Sequence, residues 1–458
     1  MSYLILLGLL FFSVSCKAQS NENSVHTKKP NIVLFFVDDL GWADLGFRNP
    51  IFETPNIDKL AKKGLSFEQA YIASPTCSPS RATLMTGQHP ARIKMVRHIP
   101  GGAKNGFDKF DRTDIEFNYL ERDPAQFPSR NWLPLEDTTY AEALADLGYY
   151  NLFIGKWHLG HEDFHPIKQG FNKQIGTSND GHPKSYYPPY FKRADLFSDN
   201  NNTYLTDKLT REAVNFINEY DNEAPFMLTF SYYSVHSPHQ GRKDLVDYFE
   251  SKGLEGKYAH YAAMVKTTDE SVGNVLNAIR QKGIEQETII FFISDQGGYF
   301  ENSPYRGGKM SETLFEGGSK VPFFVYWPGI TQAKSINTSI VQSTDIFPTL
   351  VDLAGGDLSK YKSIDGISLI STIKDNSYLE RGPVFGYRAY EDLYASVRDG
   401  DWKLLAYRSG KLELFNIKND IKEEQELSAI NSEKVLELKD KLKDWEEKMD
   451  VTSYSGIK

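Results

Sequence analysis

The sequence predicts an α/β fold: a large domain with a mostly parallel sheet between helices, followed by a smaller C-terminal α+β domain with an antiparallel sheet. Three observations carry this. Continuous apolar runs of strand length recur from Asn31 to Trp327, and helical patterns separate them. After about Pro383 the pattern changes to short segments separated by Asp399-Gly400 and Ser409-Gly410. Strands that are apolar throughout belong to sheets covered on both faces, whereas short segments joined by tight turns belong to hairpins.

In chain order, an apolar stretch over residues 3–14 comes first. It is too short to span a bilayer and reads as the hydrophobic region of a secretory leader. Cys16 follows Ser13-Val14-Ser15, small residues like those before a bacterial lipoprotein cleavage site, although Met1-Ser2-Tyr3 carry no Lys or Arg. Residues 1–15 are therefore expected to be a signal peptide, with Cys16 lipidated or lost, and 16–30 a polar tether. Strands are expected over 31–37, 149–154, 225–233, 288–294 and 321–327. Helices are expected over 56–64, 140–147, 205–220, 258–282 and 345–354, the last closed by Gly355-Gly356. Hairpin strands over 394–398, 402–407 and 411–416 and a charged amphipathic helix over 432–449 complete the chain. The large domain is placed at 31–370 and the small one at 371–458.

Of the 458 residues, 40% are hydrophobic and 25% charged, ordinary globular usage that excludes wholesale disorder and coiled coil. The net charge is −9, and no stripe of Lys and Arg offers a nucleic-acid surface. Cys16 and Cys77 are the two cysteines. If Cys16 is lipidated or removed, Cys77 has no partner in an exported protein, and a buried thiol is the ordinary explanation.

Three apolar runs end in chemistry: the first in Asp38-Asp39, the second through Ser234-Val235 in His236, the third in Asp295-Gln296. Ligands of open α/β sheets bind beyond the carboxyl ends of the strands, so these groups share one rim. Carboxylates and an amide oxygen are hard donors that suit Ca²⁺ or Mg²⁺. Helix capping would account for one such pair more simply than for two. In Cys77-Ser-Pro-Ser-Arg81, Pro79 can begin a helix with Ser78 or Ser80 as its cap. Cys77 then sits at a helix N-terminus, where free amides attract negative charge, and Arg81 follows one turn on. Lys156 and His158 alternate after a strand-like run and would share a face if extended. Lys309 lies in Arg306-Gly-Gly-Lys309, where glycines let backbone approach a ligand. Arg81, Lys156, His158, His236 and Lys309 with a divalent cation make a cationic pocket in an acidic protein. Such a pocket suits a small anionic ester.

Cys77-Ser-Pro-Ser-Arg81 with Leu84-Met-Thr-Gly87 resembles the core motif of the type I sulfatases, in the alkaline phosphatase-like superfamily. The resemblance extends through Val37-Asp-Asp-Leu-Gly41, Gly155-Lys-Trp-His-Leu-Gly160, Val235-His236, Ser294-Asp-Gln-Gly-Gly298, Glu316-Gly-Gly-Ser-Lys-Val-Pro322 and Val397-Arg-Asp-Gly-Asp-Trp-Lys-Leu404. It implies an exported sulfuric ester hydrolase in which Cys77 is oxidised to formylglycine (3-oxoalanine) by a formylglycine-generating or an anaerobic sulfatase-maturating enzyme. It also implies one Ca²⁺ held by Asp38, Asp39, the modified Cys77, Asp295 and Gln296; Gln296 departs from the commoner Asn or His. In this family a hydrated formylglycine attacks sulfur, and its second hydroxyl then collapses to expel sulfate. Arg81 is similar to the residue that steadies formylglycine and His158 to the base that starts the collapse. Lys156 and Lys309 resemble the sulfate-holding cations, and His236 the acid that protonates the leaving alcohol.

Aromatic and basic residues outside the motifs are the candidate sugar contacts: Arg97, His98, His182, Tyr387 and Arg388. The composition and leader resemble exported polysaccharide-degrading enzymes of Bacteroidetes. The resemblance thus implies a sulfated oligo- or polysaccharide substrate such as ulvan, carrageenan or a glycosaminoglycan. It places the enzyme in the periplasm or on the surface of a Gram-negative bacterium, on the membrane only through a lipid anchor. A phosphonate or phosphodiester hydrolase of the same superfamily is one alternative. A non-catalytic lipoprotein that binds sulfated glycan, with Cys77 left unmodified, is another.

Overall fold

A computed structural model describes residues 29–100, 115–119, 127–178, 180–191, 197, 201–389 and 391–451. The expected leader, Cys16 and most of the tether lie outside the described residues. The chain runs β1 (Asn31–Val37), α1 (Pro55–Lys63), β2 (Leu65–Tyr71), α2 (Cys77–Thr86), β3 (Phe117–Asn118), β4 (Ser129–Arg130), α3 (Tyr140–Asp146), β5 (Tyr150–Gly155) and β6 (Lys173–Ile175). It continues through α4 (Leu205–Glu219), β7 (Phe226–Ser231), α5 (Lys243–Ser251), α6 (Gly256–Gln281), β8 (Thr288–Ser294), α7 (Glu316–Ser319), β9 (Phe323–Tyr326), β10 (Ser335–Gln342), α8 (Ile346–Leu353) and α9 (Ile370–Asp375). The C-terminal part holds β11 (Val384–Tyr387), β12 (Leu393–Asp399), β13 (Trp402–Tyr407), β14 (Leu412–Asn416) and α10 (Ser432–Lys448).

Eight strands form one sheet in the order β10-β2-β9-β8-β1-β7-β5-β6. Its pairs are parallel except those of β9, which is antiparallel to both neighbours. Side chains of β1 alternate between two cores. Val33, Phe35 and Val37 pack with α1, α4, α5 and α6, whereas Ile32, Leu34 and Phe36 pack with α2, α3 and α8. Both faces of the strand are dry, which is why its sequence reads as one apolar run. The expected central strands and the helices between them are present, with bounds that differ by a few residues. The strands β2 and β10 escaped the sequence reading. They are a parallel pair at the sheet edge, and Glu68, Gln69, Asn337 and Thr338 break up their apolar pattern.

The second sheet is antiparallel in the order β11-β12-β13-β14. Helix α10 covers it with Leu438, Leu442 and Trp445. The two sheets are joined by a buried ionic bridge. Lys403 of β13 lies 2.9 Å from both Glu316 Oε1 and Glu423 Oε1. Glu423 Oε2 accepts from Glu316 N at 2.7 Å, and Tyr71 donates to Glu316 Oε2 at 2.7 Å. One ammonium thus answers two carboxylates, an arrangement in which removing a single partner strands a buried charge. Among the described residues no helix is long and apolar enough to cross a membrane.

Burial pushes the Glu446 carboxyl on α10 up from 4.5 to about 7, against a hydrogen bond from Tyr394. A carboxyl raised on folding contributes stability that is full below pH 4.5 and lost as pH rises through about 7. Glu446→Gln is therefore expected to gain stability relative to the parent between about pH 5 and about pH 8 in urea unfolding. Parallel stability curves for the two proteins would contradict this.

Candidate active site

Parallel register delivers the site. Val37 of β1 stands beside Ser294 of β8, so the next residues, Asp38 and Asp295, emerge side by side. On the other flank Phe36 pairs with Ser231 of β7, and Gly155 of β5 pairs with the same Ser231. Beyond β7 the chain turns through Ser234-Val235 to His236, and beyond β5 it reaches Lys156. Asp38, Asp39, Asp295 and Gln296 are all buried. Asp39 takes the left-handed backbone conformation, φ 62°, and its N–H donates to Asp295 Oδ1 at 3.0 Å.

Cations surround these carboxylates. Lys156 Nζ donates to Asp38 Oδ2 at 2.5 Å. Arg81 Nη2 donates to Asp295 Oδ2 at 3.2 Å and lies 3.6 Å from Asp38 Oδ1. Its Nη1 donates to Lys156 O at 2.8 Å and Ser231 Oγ at 2.6 Å. Lys309 Nζ pairs with Asp39 Oδ2, and His236 Nε2 lies 3.8 Å from the same oxygen. Burial pushes the Asp38 carboxyl up, but Lys156, His236 and Arg81 together hold it well below the ordinary range. Burial and the neighbouring Asp38 charge push Asp295 well above it, with Arg81 opposing.

Cys77 is the first residue of α2, behind Thr76, and faces this cluster. Its Sγ accepts from Gln296 Nε2 at 3.3 Å and lies 3.9 Å from Asp38 Oδ1. Burial raises the thiol pKa, but Lys156 and hydrogen bonds with His158 and His236 overcome burial and hold it well below the usual value. Pro79 is inside the first turn, but the serines do not cap it. Ser78 Oγ instead accepts from Ile99 N at 3.0 Å. Nor do Lys156 and His158 lie on a strand. β5 ends at Gly155, and His158 turns left-handed, φ 54°. That turn brings His158 Nε2 to 3.0 Å from Ile99 O and the ring to Cys77.

The donor set fits a hard divalent cation. Oxygen or sulfur atoms of Asp38, Cys77 and Asp295 lie within 4.8 Å of one another, as do ligand atoms of Asp39, Cys77 and His236. Gln296 Nε2 donates to Asp39 Oδ1 at 2.6 Å, and turning the carboxamide over presents its oxygen instead. Three buried carboxylates with an amide oxygen match calcium or magnesium better than zinc.

A cavity of about 890 Å³ opens above Cys77 and is lined by His98, His158, His182, His236, Lys309, Arg388 and neighbours. His182 stacks on His236, ring centroids 5.3 Å apart. Three of the five expected sugar contacts thus face the cavity, and two do not. Arg97 is buried and spends its guanidinium on Phe127 O at 2.6 Å and Asn118 O at 2.8 Å, closing a loop against β3 and β4. Tyr387 is fully buried, its ring 5.5 Å from that of Trp445, because β11 turns it into the C-terminal core. The sequence reading missed Asp180, Lys184, Met310 and Glu391, which line the cavity without any motif to mark them. It also missed Asp44, whose Oδ2 accepts from Gly41 N at 2.7 Å and Tyr261 Oη at 2.5 Å, beside Asp39.

The family model for sulfatases matches residues 30–356. This chain belongs to the sulfatase family. It is a sulfuric ester hydrolase of alkaline phosphatase-like fold. A second model, the C-terminal region of N-sulphoglucosamine sulphohydrolase, matches residues 311–451. The sulfatase is 33% identical to mouse N-acetylgalactosamine-6-sulfatase over 385 residues, covering 78% of this chain and 69% of that protein. It is 29% identical to a Formosa agariphila sulfatase over 529 residues, covering 97% and 93%. The crystal structure of Ps i-CgsB superposes with a TM-score of 0.78 at 30% identity, over 91% of this chain and 92% of that one. Ps i-CgsB has also been crystallised with k-i-k-neocarrahexaose.

Arg81 holds two carboxylates of the sulfatase through Nη2, while Nη1 is bonded to Lys156 O and Ser231 Oγ. Arg81→Met is expected to cost about 3–5 kcal/mol in chemical unfolding, because Asp38 and Asp295 stay buried with one partner fewer. Arg81→Lys should recover part of that stability but not the sulfatase rate, since one ammonium cannot reproduce the guanidinium's bond geometry. Full recovery of both would remove Arg81 from its orienting role.

Proposed function

We propose that this sulfatase hydrolyses a sulfate ester on a carbohydrate, with calcium as its metal and Cys77 converted to formylglycine. The observation that carries the reading is the cavity. Cys77, His158, His236 and Lys309 meet in one space of about 890 Å³, whose walls include Asp180, Lys184, Arg388 and Glu391. Such groups hydrogen-bond hydroxyls and anionic substituents. The neocarrahexaose bound to Ps i-CgsB and the relatives named N-acetylgalactosamine-6-sulfatase support a sugar. They make carrageenan-type and N-acetylgalactosamine-containing glycans the first candidates. The apolar leader supports export, with Cys16 as the anchored residue.

Asp38, Asp39, Asp295, Gln296 and residue 77 would hold the calcium. Calcium supplies Lewis-acid polarisation of sulfate oxygens, and formylglycine supplies the nucleophilic hydroxyl. The chain's own groups divide the remaining work by tautomer and charge. His236 Nδ1 donates to Ser237 O at 2.6 Å, so Nε2 is the nitrogen turned to the reacting group. Burial lowers the pKa of its ring, but the Asp39 and Asp38 charges outweigh burial and raise it. When protonated, Nε2 could give its proton to the leaving oxygen. His158 is the converse case. Nε2–H donates to Ile99 O, leaving the buried Nδ1 as the acceptor. Burial keeps this ring neutral, the state a base toward residue 77 requires. Lys156 and Lys309, paired here with Asp38 and Asp39, would hold the sulfate oxygens as their charge grows.

Sulfate release from carrageenan, ulvan and glycosaminoglycan oligosaccharides tests the reading, with Cys77→Ala as control. Peptide masses at residues 77 and 16 report the two modifications. Release by the parent protein from at least one sugar, with an aldehyde mass at 77, is expected. Turnover of a phosphodiester or phosphonate in place of every sulfate ester would overturn it. His236→Ala is expected to slow hydrolysis of a sugar sulfate by about 10²–10⁴-fold. It should slow an activated aryl sulfate far less, because that alcohol leaves without a proton. Equal losses on the two substrates would exclude the acid role.

A further inference from the structure

A buried carboxamide outside every catalytic motif stands where three site-bearing loops meet. Asn302 is only 2% exposed. Its Oδ1 accepts from Gly298 N at 3.1 Å. Its Nδ2 donates to Gly298 O at 3.1 Å, Phe300 O at 3.1 Å and Gly307 O at 3.3 Å. Gly298 O also accepts from Lys309 N at 3.0 Å. One carbonyl, two residues beyond Gln296, is therefore shared between the Asn302 side chain and the backbone of Lys309.

The surrounding glycines give this carboxamide its space. A Cβ on Gly41 would lie 2.4 Å from Asn302 Oδ1, and one on Gly298 would lie 2.9 Å from it. A Cβ on Gly308 would lie 2.6 Å from Asn302 Nδ2. These glycines come from the loop after Asp39, the loop after Gln296 and the loop before Lys309. No side chain fits between those loops because Asn302 already fills the junction.

We propose that Asn302 is a positioning residue: it fixes the Lys309 loop against the Asp295-Gln296 loop, and so sets where the Lys309 ammonium meets the sulfate. This rests on the reading of Lys309 as a sulfate-holding cation. A lysine side chain is long and rotamer-rich, so its backbone anchor decides how much freedom its charge must lose on binding. The carboxamide is suited to the task because it offers an acceptor to one N–H and two donors to three carbonyls. A side chain with fewer bonds would leave buried carbonyls unsatisfied or let the loops part.

The test is a double-mutant cycle on the full-length protein, read by calorimetric binding of inorganic sulfate and by kcat/KM on an aryl sulfate. Asn302→Ser is expected to weaken both by about 10²-fold, the scale of a displacement near 1 Å. In a Lys309→Met background the same change should cost less than about 3-fold, because coupled residues are not additive. Losses that multiply instead would overturn the proposal, as would Asn302→Ser lowering the melting temperature while leaving sulfate affinity intact. If Lys309→Met alone leaves sulfate affinity unchanged, the anion-holding reading falls and the proposal falls with it. Asn302→Asp, which is isosteric and keeps the acceptor for Gly298 N, replaces Asn302→Ser in the same cycle if the serine variant does not fold. The same coupling is expected of it.

Discussion

Three carboxylates with no solvent, Asp38, Asp39 and Asp295, stand together at the carboxyl ends of adjacent strands, and the rest of the site answers their charge. Burying an ionised carboxylate costs far more than a fold can offset unless partners surround it. Lys156, Arg81, Lys309 and His236 supply those partners, and the same oxygens are hard donors that fit a divalent cation. The same constraint explains why the cationic groups come from different elements. One strand end or one loop cannot surround a cluster, so the segment after β5, α2, the segment after β7 and the loop before α7 each contribute one group.

That convergence demands close backbone approach. Loops carrying Asp39, Gln296 and Lys309 touch at glycines, and the space their missing side chains leave is filled by Asn302 and Asp44. The C-terminal sheet takes part from behind. Arg306 Nη1 donates to Glu423 O at 3.0 Å, so the segment leading to Lys309 is tied to the ionic bridge between the sheets. The second sheet also brings Arg388 and Glu391 to the mouth of the cavity. It serves at once as a brace for the Lys309 loop and as a wall of the cavity.

The residues that hold charge were legible from sequence because charge at a strand end is conspicuous. Asp38, Asp39, Asp295 and Gln296 each follow an apolar run, and Cys77 and Arg81 stand one helical turn apart. The edge strand β10 and its neighbour β2 were not legible, since polar residues interrupt their apolar pattern. Arg97 and Tyr387 looked like sugar contacts by residue type, yet a guanidinium and a phenol ring also serve well inside a protein. Their neighbours in sequence carried no sign of which face they would take. Asn302 was invisible for a related reason: a single Asn in a loop between aromatics is ordinary, and only its bonds distinguish it.

By itself the sequence determined the alternation of strands and helices, the acidic, oxygen-rich strand ends and a helix with Cys77 at its N-terminal end. These are local properties, dictated by apolar periodicity and by the position of charged residues relative to it. Tertiary structure alone decided which of the basic and aromatic side chains face the cavity, which nitrogen of His158 and His236 is free, and which loops meet around Asn302. Those outcomes depend on contacts between residues hundreds of positions apart, such as Arg81 with Asp295 and Lys309 with Asp39. No pattern within one segment encodes them, because each is settled by how closely two separate backbones can approach.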